Sequence, residues 1–445
     1  PFWKPHQKTA FAGSSLGQLD RLVAVTMIHE GGRATIFGML TKLQKFTRDI
    51  NAAAMWAGVT AFVWYAFGAV PLHIAVASQL GLTAAQSSSW IFIIWTSGAV
   101  ASISLSVYYR MPVPITWSIP GLIYLGTLAG EFTFSEIAAA NLVAGVLILV
   151  LGVLGVGGQI MRWLPLPIVM GMFAGSIFGY VTRLVDVTVG DVAVAGPAVG
   201  GYLVGRLIGN PRVPPVGLAV LFGAIAVMIG GQATPEAMSW SLPSIGVPSM
   251  TFSTSSILAI SLPMVVLALG LGNVQGLGFL IGQGYKVPVN PISIVIGITS
   301  VINALLGGHP AIVARTGVAI LAGPDAGPKE QRYWANLTAA TLTLIIALAA
   351  GLVIPILAVL PSSYIFALAG LAIFASLQDA FQKAFSGNLA FGALVAFAVA
   401  STPFSYVGIT SALWAVLAGL GASLIAERGQ LRELWRVGAT ESTLG

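Results

Sequence analysis

Cysteine is absent from all 445 residues, which excludes disulfides, thiolate metal sites and a cysteine nucleophile. Charge is scarce as well: Asp, Glu, Lys and Arg make up 8% of the chain, against roughly a quarter in soluble proteins. So few charges cannot cover a water-facing surface, and the chain reads as an integral membrane protein. It lacks the phosphate-cradling G-x-x-x-x-G-K-[ST] loop and the H-E-x-x-H zinc motif. Gly-rich strings such as Gly270-Leu-Gly272 fall inside apolar segments, where close helix packing explains them. No enzyme, cofactor or metal site is therefore expected. The first 50 residues are polar or amphipathic, and no cleavable signal peptide is expected among them. In a soluble protein the net charge of +6 would suggest nucleic acid; here it is assigned to the membrane, and no nucleic-acid partner is expected.

What the chain does have is apolar. Hydrophobic residues reach 57%, with 53 glycines. Apolar stretches divide it into fourteen spans, near 52–78, 87–108, 113–129, 134–154, 158–182, 191–209, 214–231, 255–281, 289–306, 309–323, 333–357, 362–378, 386–402 and 406–426; a twelve-span division is the main competitor. With the N-terminus cytoplasmic, only Arg183 and Arg315 of the 20 basic residues fall away from the cytoplasmic side, as the positive-inside rule requires of a correct count.

The spans divide seven and seven about the polar segment 232–253, taken as an extracytoplasmic linker. An odd number per half inserts the second repeat (254–426) upside down relative to the first (51–231). Residues 17–46 could form an interfacial amphipathic helix within a cytoplasmic tail of 1–50, or remain a plain tail, and 427–445 read as a basic cytoplasmic tail.

One small signature occurs in both halves. Pro114-Ile-Thr-Trp-Ser-Ile-Pro-Gly121 and Pro310-Ala-Ile-Val-Ala-Arg-Thr-Gly317 each set proline and glycine seven apart. Both lie in spans three and ten, too short for a full crossing at 1.5 Å per residue. Discontinuous spans at corresponding points of two repeats point to a transporter's binding site near the midplane. Half-helices starting at the two prolines would aim their N-termini at an anion; the alternative is that the prolines only kink packed helices.

Arg315 in the second copy would add a guanidinium fork for carboxylate, or else bond to neighbouring carbonyls. Asn273 and Gln275 could orient a carboxylate or bridge helices, and Tyr65, Phe67, Gly68 and Ala69 give an aromatic wall of close approach. Trp117 and Ser118 supply a ring and a hydroxyl, and Pro310 and Ala311 open the second copy. His309, beside Pro310, could couple proton movement or bond locally. Acidic residues are missing from the middle of spans one, three, eight and ten, and Asp379 reads as an inner-loop residue.

Tyr109-Arg-Met-Pro-Val113, Trp117-Ser-Ile-Pro-Gly121, Asn273-Val-Gln-Gly276, Asn303-Ala-Leu-Leu-Gly-Gly-His309 and Gly323-Pro-Asp-Ala-Gly-Pro328 with Arg332-Tyr-Trp334 follow in order. In these pieces the chain resembles the BenE-type benzoate/proton symporters of bacterial inner membranes. The resemblance implies a fold similar to the uracil transporter, with spans 1–4 and 8–11 as core and spans 5–7 and 12–14 as gate. It implies proton-coupled uptake of an aromatic carboxylate at spans one, three, eight and ten, both termini cytoplasmic, and a dimer. Span one departs from the family, with Tyr65-Ala-Phe-Gly-Ala69 where a serine-rich stretch is usual. The reading is thus an all-α polytopic transporter of a small organic anion, moving core against gate. The alternatives are an inorganic anion or a nucleobase on the same fold, or an anion channel or non-transporting receptor.

Overall fold

Apolar runs without charge leave backbone hydrogen bonding as the only means of satisfying N–H and C=O groups in lipid, and helices follow. The computed structural model describes residues 49–155, 165–210, 213–231, 241–352, 359–402, 404–406 and 409–442, and Asn51–Gly445 forms one unit by itself. Its helices are α1 (Ala52–Gln79), α2 (Ala84–Tyr109), α3 (Ile119–Thr127), α4 (Phe134–Leu154), α5 (Leu166–Gly190), α6 (Val192–Ile208) and α7 (Pro215–Ile229). The second half holds α8 (Thr254–Gly282), α9 (Val289–Leu305), α10 (Arg315–Leu321), α11 (Tyr333–Ala347), α12 (Ser362–Phe385), α13 (Ala390–Ala400), α14 (Ser411–Ala426) and α15 (Arg428–Ser442). Local chemistry sets several starts: Thr83 with Gln86, and Thr133 with Glu136, form capping boxes at α2 and α4.

Among the described residues, seven helical stretches are long and apolar enough to cross a membrane, or eight if α14 and the first residues of α15, bent by 105°, count together. The remaining apolar helices α6, α7, α9 and α13 are shorter.

Three boundaries differ from expectation. The fifth span, expected over 158–182, is helical from Leu166 to Gly190 and so runs eight residues past its expected end; its expected start at 158–164 lies outside the described residues. The twelfth, expected to end at 378, continues to Phe385 through Asp379 and Lys383, whose charges pair within the fold. The C-terminal tail includes the helix α15. The expected interfacial helix at 17–46 lies outside the described residues, as does 232–240 of the linker. Residues 241–250 of that linker run without regular structure and hang on α2: the Ser244 and Gly246 N–H groups donate to the Ser88 and Ser89 hydroxyls, each at 3.1 Å.

Packing follows a regular scheme. α4 lies along α9 and α2 along α11, α6 along α7 and α13 along α14, α5 along α12 and α13. Between α2 and α3, and again between α9 and α10, the chain is extended: β1 (Ile115–Trp117) pairs antiparallel with β2 (Ala311–Val313), Thr116 opposite Ile312. Nine residues of α3 and seven of α10 reach about 14 and 10 Å at 1.5 Å each, at most about half of a bilayer's ~30 Å apolar thickness. The half-helices therefore begin at Ile119 and Arg315, not at Pro114 and Pro310, and a strand fills the interval. Proline suits that edge position because its missing N–H breaks no ladder bond.

Candidate functional site

An extended backbone inside a membrane must find partners within the protein, and each strand here does. The Ser102 hydroxyl of α2 donates to the Ile115 carbonyl (3.0 Å) and accepts from the Ile115 N–H (2.7 Å). Across the ladder, Ser300 of α9 accepts from the Ala311 N–H at 3.0 Å, and Asn273 Oδ1 of α8 accepts from the Val313 N–H at 3.1 Å. The Ser118 N–H donates to the Pro310 carbonyl (3.2 Å) and the Ala314 N–H to the Pro114 carbonyl (2.8 Å), closing the crossing at both ends. The α8 backbone relaxes into π-helix over Leu267–Asn273 as it passes β2, a distortion often found at functional sites.

Where the strands meet the half-helices, a cavity of about 130 Å³ opens, lined from α1 by Trp64, Tyr65 and Gly68, from β1 by Thr116 and Trp117, and from α10 by Arg315, Thr316 and Gly317. α12 closes it with Ala372, Ala375, Ser376 and Asp379. One wall is aromatic: Trp117 stacks on Trp95 with centroids 4.7 Å apart and planes 7° from parallel, and Tyr65 meets Trp117 edge-on at 6.2 Å. The Tyr65 hydroxyl and the Trp95 and Trp117 indole N–H groups are buried without a hydrogen-bond partner among the described residues, which buried donors rarely are.

The other wall is charged. Arg315 Nη1 contacts the Asp379 carboxylate and lies 3.3 Å from Gln275 Oε1. Lys383, one turn along α12, bonds to Asp379 at 2.8 Å. Placing Asp379 in an inner loop is thereby corrected: α12 carries it beside Arg315. Arg315 also opens α10 rather than standing five residues inside a half-helix.

Of the residues singled out in the sequence, Tyr65, Gly68, Trp117 and Arg315 come together on the cavity. Gln275 touches Arg315 from α8 without lining it. Ala69 is buried behind the wall, and the Phe67 side chain lies outside the described residues. The Ser118 hydroxyl caps α3, accepting from the Gly121 N–H at 3.0 Å. Asn273, 4% exposed, supports β2, and Pro310, just ahead of β2, and Ala311, its first residue, are not among the cavity's lining residues.

His309 is fully buried; its Nδ1 accepts from the Trp90 indole N–H (3.0 Å) and its Nε2–H donates to the Ser118 carbonyl (3.2 Å), so both ring nitrogens are engaged in the neutral form. Asp379 and Lys383 escaped the sequence reading, although a charged pair four residues apart inside an apolar run was a readable signal. Further hollows among the described residues include one of about 340 Å³ near Gln79, Tyr180 and Arg183 and an apolar groove beside Tyr202 and Phe374.

Paired broken helices crossing at a small cavity of aromatic and charged walls form the architecture of a membrane transporter. The chain belongs to the BenE family: the family model described as benzoate membrane transport protein matches residues 48–425. It is a membrane transport protein and not an enzyme. It is similar to the inner membrane protein YdcO of Escherichia coli (strain K12), 27% identical over 383 residues that cover 84% of this chain and 94% of that protein. It is also similar to the benzoate membrane transport protein of Acinetobacter baylyi, 25% identical over 389 residues, covering 87% and 98%. In fold it matches the transmembrane domain of the cyanobacterium bicarbonate transporter BicA, with TM-score 0.55 and 17% identity over 83% of this chain and 97% of that one. SLC26A9 matches with TM-score 0.59 and 15% identity over 95% and 72%.

Proposed function

We propose that this chain is a proton-coupled secondary transporter of a small aromatic carboxylate such as benzoate, working by movement of core against gate. The observation that carries the reading is the cavity itself, which sets a stacked indole pair on one wall and a guanidinium on the other. Its volume of about 130 Å³ is close to the ~150 Å³ of an apolar cavity able to hold one benzene ring. The ring lies against Tyr65 and Trp117, and the carboxylate meets Arg315, which offers a planar fork for it. Gln275 orients that guanidinium, while Ser118, Asn273, His309, Pro310 and Ala311 hold the strands in place. The A. baylyi relative, named for benzoate transport, supports the same substrate class.

The proposed topology is fourteen membrane segments, α1–α7 and α8–α14, as inverted repeats over 51–231 and 254–426. Exchanging the repeats turns the α4–α9 pair into α11–α2 and the α6–α7 pair into α13–α14, and all four pairs are packed. The β1–β2 register likewise maps onto itself, with Thr116 and Ile312 at its centre. α1–α4 with α8–α11 form the core and α5–α7 with α12–α14 the gate, in a dimer in the bacterial inner membrane with both termini cytoplasmic, as the basic residues favour.

Protein reconstituted into liposomes under an inward proton gradient is expected to accumulate radiolabelled benzoate above the external concentration, in a saturable manner that a protonophore abolishes. Sulfate, bicarbonate and uracil are expected to compete weakly. Non-saturating flux, accumulation indifferent to the gradient, or stronger competition by uracil contradicts the reading.

A further inference from the structure

The guanidinium offered to a substrate already has a carboxylate in hand. Asp379 on α12 bridges Arg315 of α10 and Lys383 of its own helix. The three side chains are partly buried, 35% exposed for Arg315 and 27% for Asp379 and Lys383. Among the described residues no other charged group lines this cavity. α1 presents Tyr65 and Gly68 to it, α5 Phe173 and α7 Val216, and α8 adds the neutral Gln275. Two cations share one carboxylate, so the cluster holds a single positive charge in excess. Uncompensated charge within a membrane is costly and seeks a partner.

We propose that Asp379 is a tethered stand-in for the substrate's carboxylate, and that Lys383 is the residue to which it passes when the substrate arrives. In this structure Asp379 occupies Arg315. A monoanion takes the Arg315 fork, Asp379 keeps its bond to Lys383 alone, and the cluster becomes neutral. A dianion leaves a negative charge in excess and a neutral ligand a positive one, so this pair sets the charge of the anion accepted. The same exchange breaks a tie between the half-helix α10 and α12, giving substrate binding a direct hold on how those elements move. This inference rests on the anion-transport reading and adds the residues that fix the substrate's charge.

The test uses the purified full-length chain and two probes at pH 8: benzoate as monoanion and phthalate as dianion, with affinities read by calorimetry. Lys383→Met leaves no excess charge, and benzoate affinity is expected to fall at least about tenfold, with Lys383→Arg restoring it. Asp379→Asn leaves an excess of two, and the preference is expected to move toward phthalate by at least about tenfold. The double variant Asp379→Asn/Lys383→Met returns the excess to one, and benzoate affinity should come back to within about threefold of wild type. A merely structural pair predicts additive losses and no change of preference. The proposal is overturned if the double variant binds no better than Lys383→Met, or if Asp379→Asn keeps the wild-type preference. Should the Asp379 variants not fold, Lys383→Met with unchanged benzoate affinity overturns it alone. A wild-type chain that binds neither probe overturns the anion reading itself, an outcome distinct from all of these.

Discussion

The two copies of the proline-to-glycine segment share a backbone and differ in chemistry. Both enter as three-residue strands, both lean on a serine of the preceding helix (Ser102 and Ser300), and both end in short helices. The first carries Trp117 and a serine cap and no charge; the second starts its helix with Arg315 and has no side-chain cap. Their closing glycines differ too. A Cβ on Gly121 would meet the flexible end of Met264 at 2.7 Å, whereas one on Gly317 would overlap the Tyr65 hydroxyl and lie 2.7 Å from Cζ of its ring. The two segments share a strand-and-half-helix frame, and under the proposed reading their unequal side chains give the cavity a ring end and a charge end.

The comparison breaks most sharply at Arg315. Arg315→Met is expected to weaken benzoate binding at least ~30-fold, since a desolvated charge pair is worth 2 kcal/mol or more. Calorimetry on the purified variant checks this, and a loss below threefold would make the second copy no more charged in function than the first.

Next come the glycines. Gly317→Ala should cost ~2–3 kcal/mol by forcing Tyr65 out of its packed position, and Gly121→Ala under ~1 kcal/mol because Met264 can swing aside. Thermal melts in one detergent would read both, and equal shifts would remove the asymmetry.

Effects smaller than that at Gly317 test the shared part. Ser102→Ala and Ser300→Ala each orphan buried backbone groups at ~1–2 kcal/mol. Ser102 is the costlier because it serves both the N–H and the carbonyl of Ile115. Melting shifts that leave one serine silent would mean that the scaffold is not symmetric.

Much of this plan was legible in the sequence, because proline and glycine at matched places signal interrupted spans whatever surrounds them. The strands themselves were not. Residues 115–117 and 311–313 are extended only because they pair with each other across nearly two hundred positions, and a proline opening an apolar run reads equally as a helix start. Asn273 looked like a ligand residue for the same reason: its partner, the Val313 N–H, is forty residues away. Asp379 was lost to hydropathy, which ends a span at the first charge. Its neutralisation by Lys383 on one side and Arg315 on the other is a property of the fold. His309 next to Pro310 suggested titration, while the structure spends both its nitrogens on Trp90 and Ser118.

The proposed site sets the substrate's orientation, its ring on the first copy and its carboxylate on the second. A crystal structure with 4-iodobenzoate, located by iodine anomalous scattering, tests it most directly. The iodine peak should fall inside the cavity on the Trp117 side, with the carboxylate on Arg315 and Asp379 turned to Lys383. An iodine beside Arg315, or a peak only in the hollow near Arg183, would contradict it.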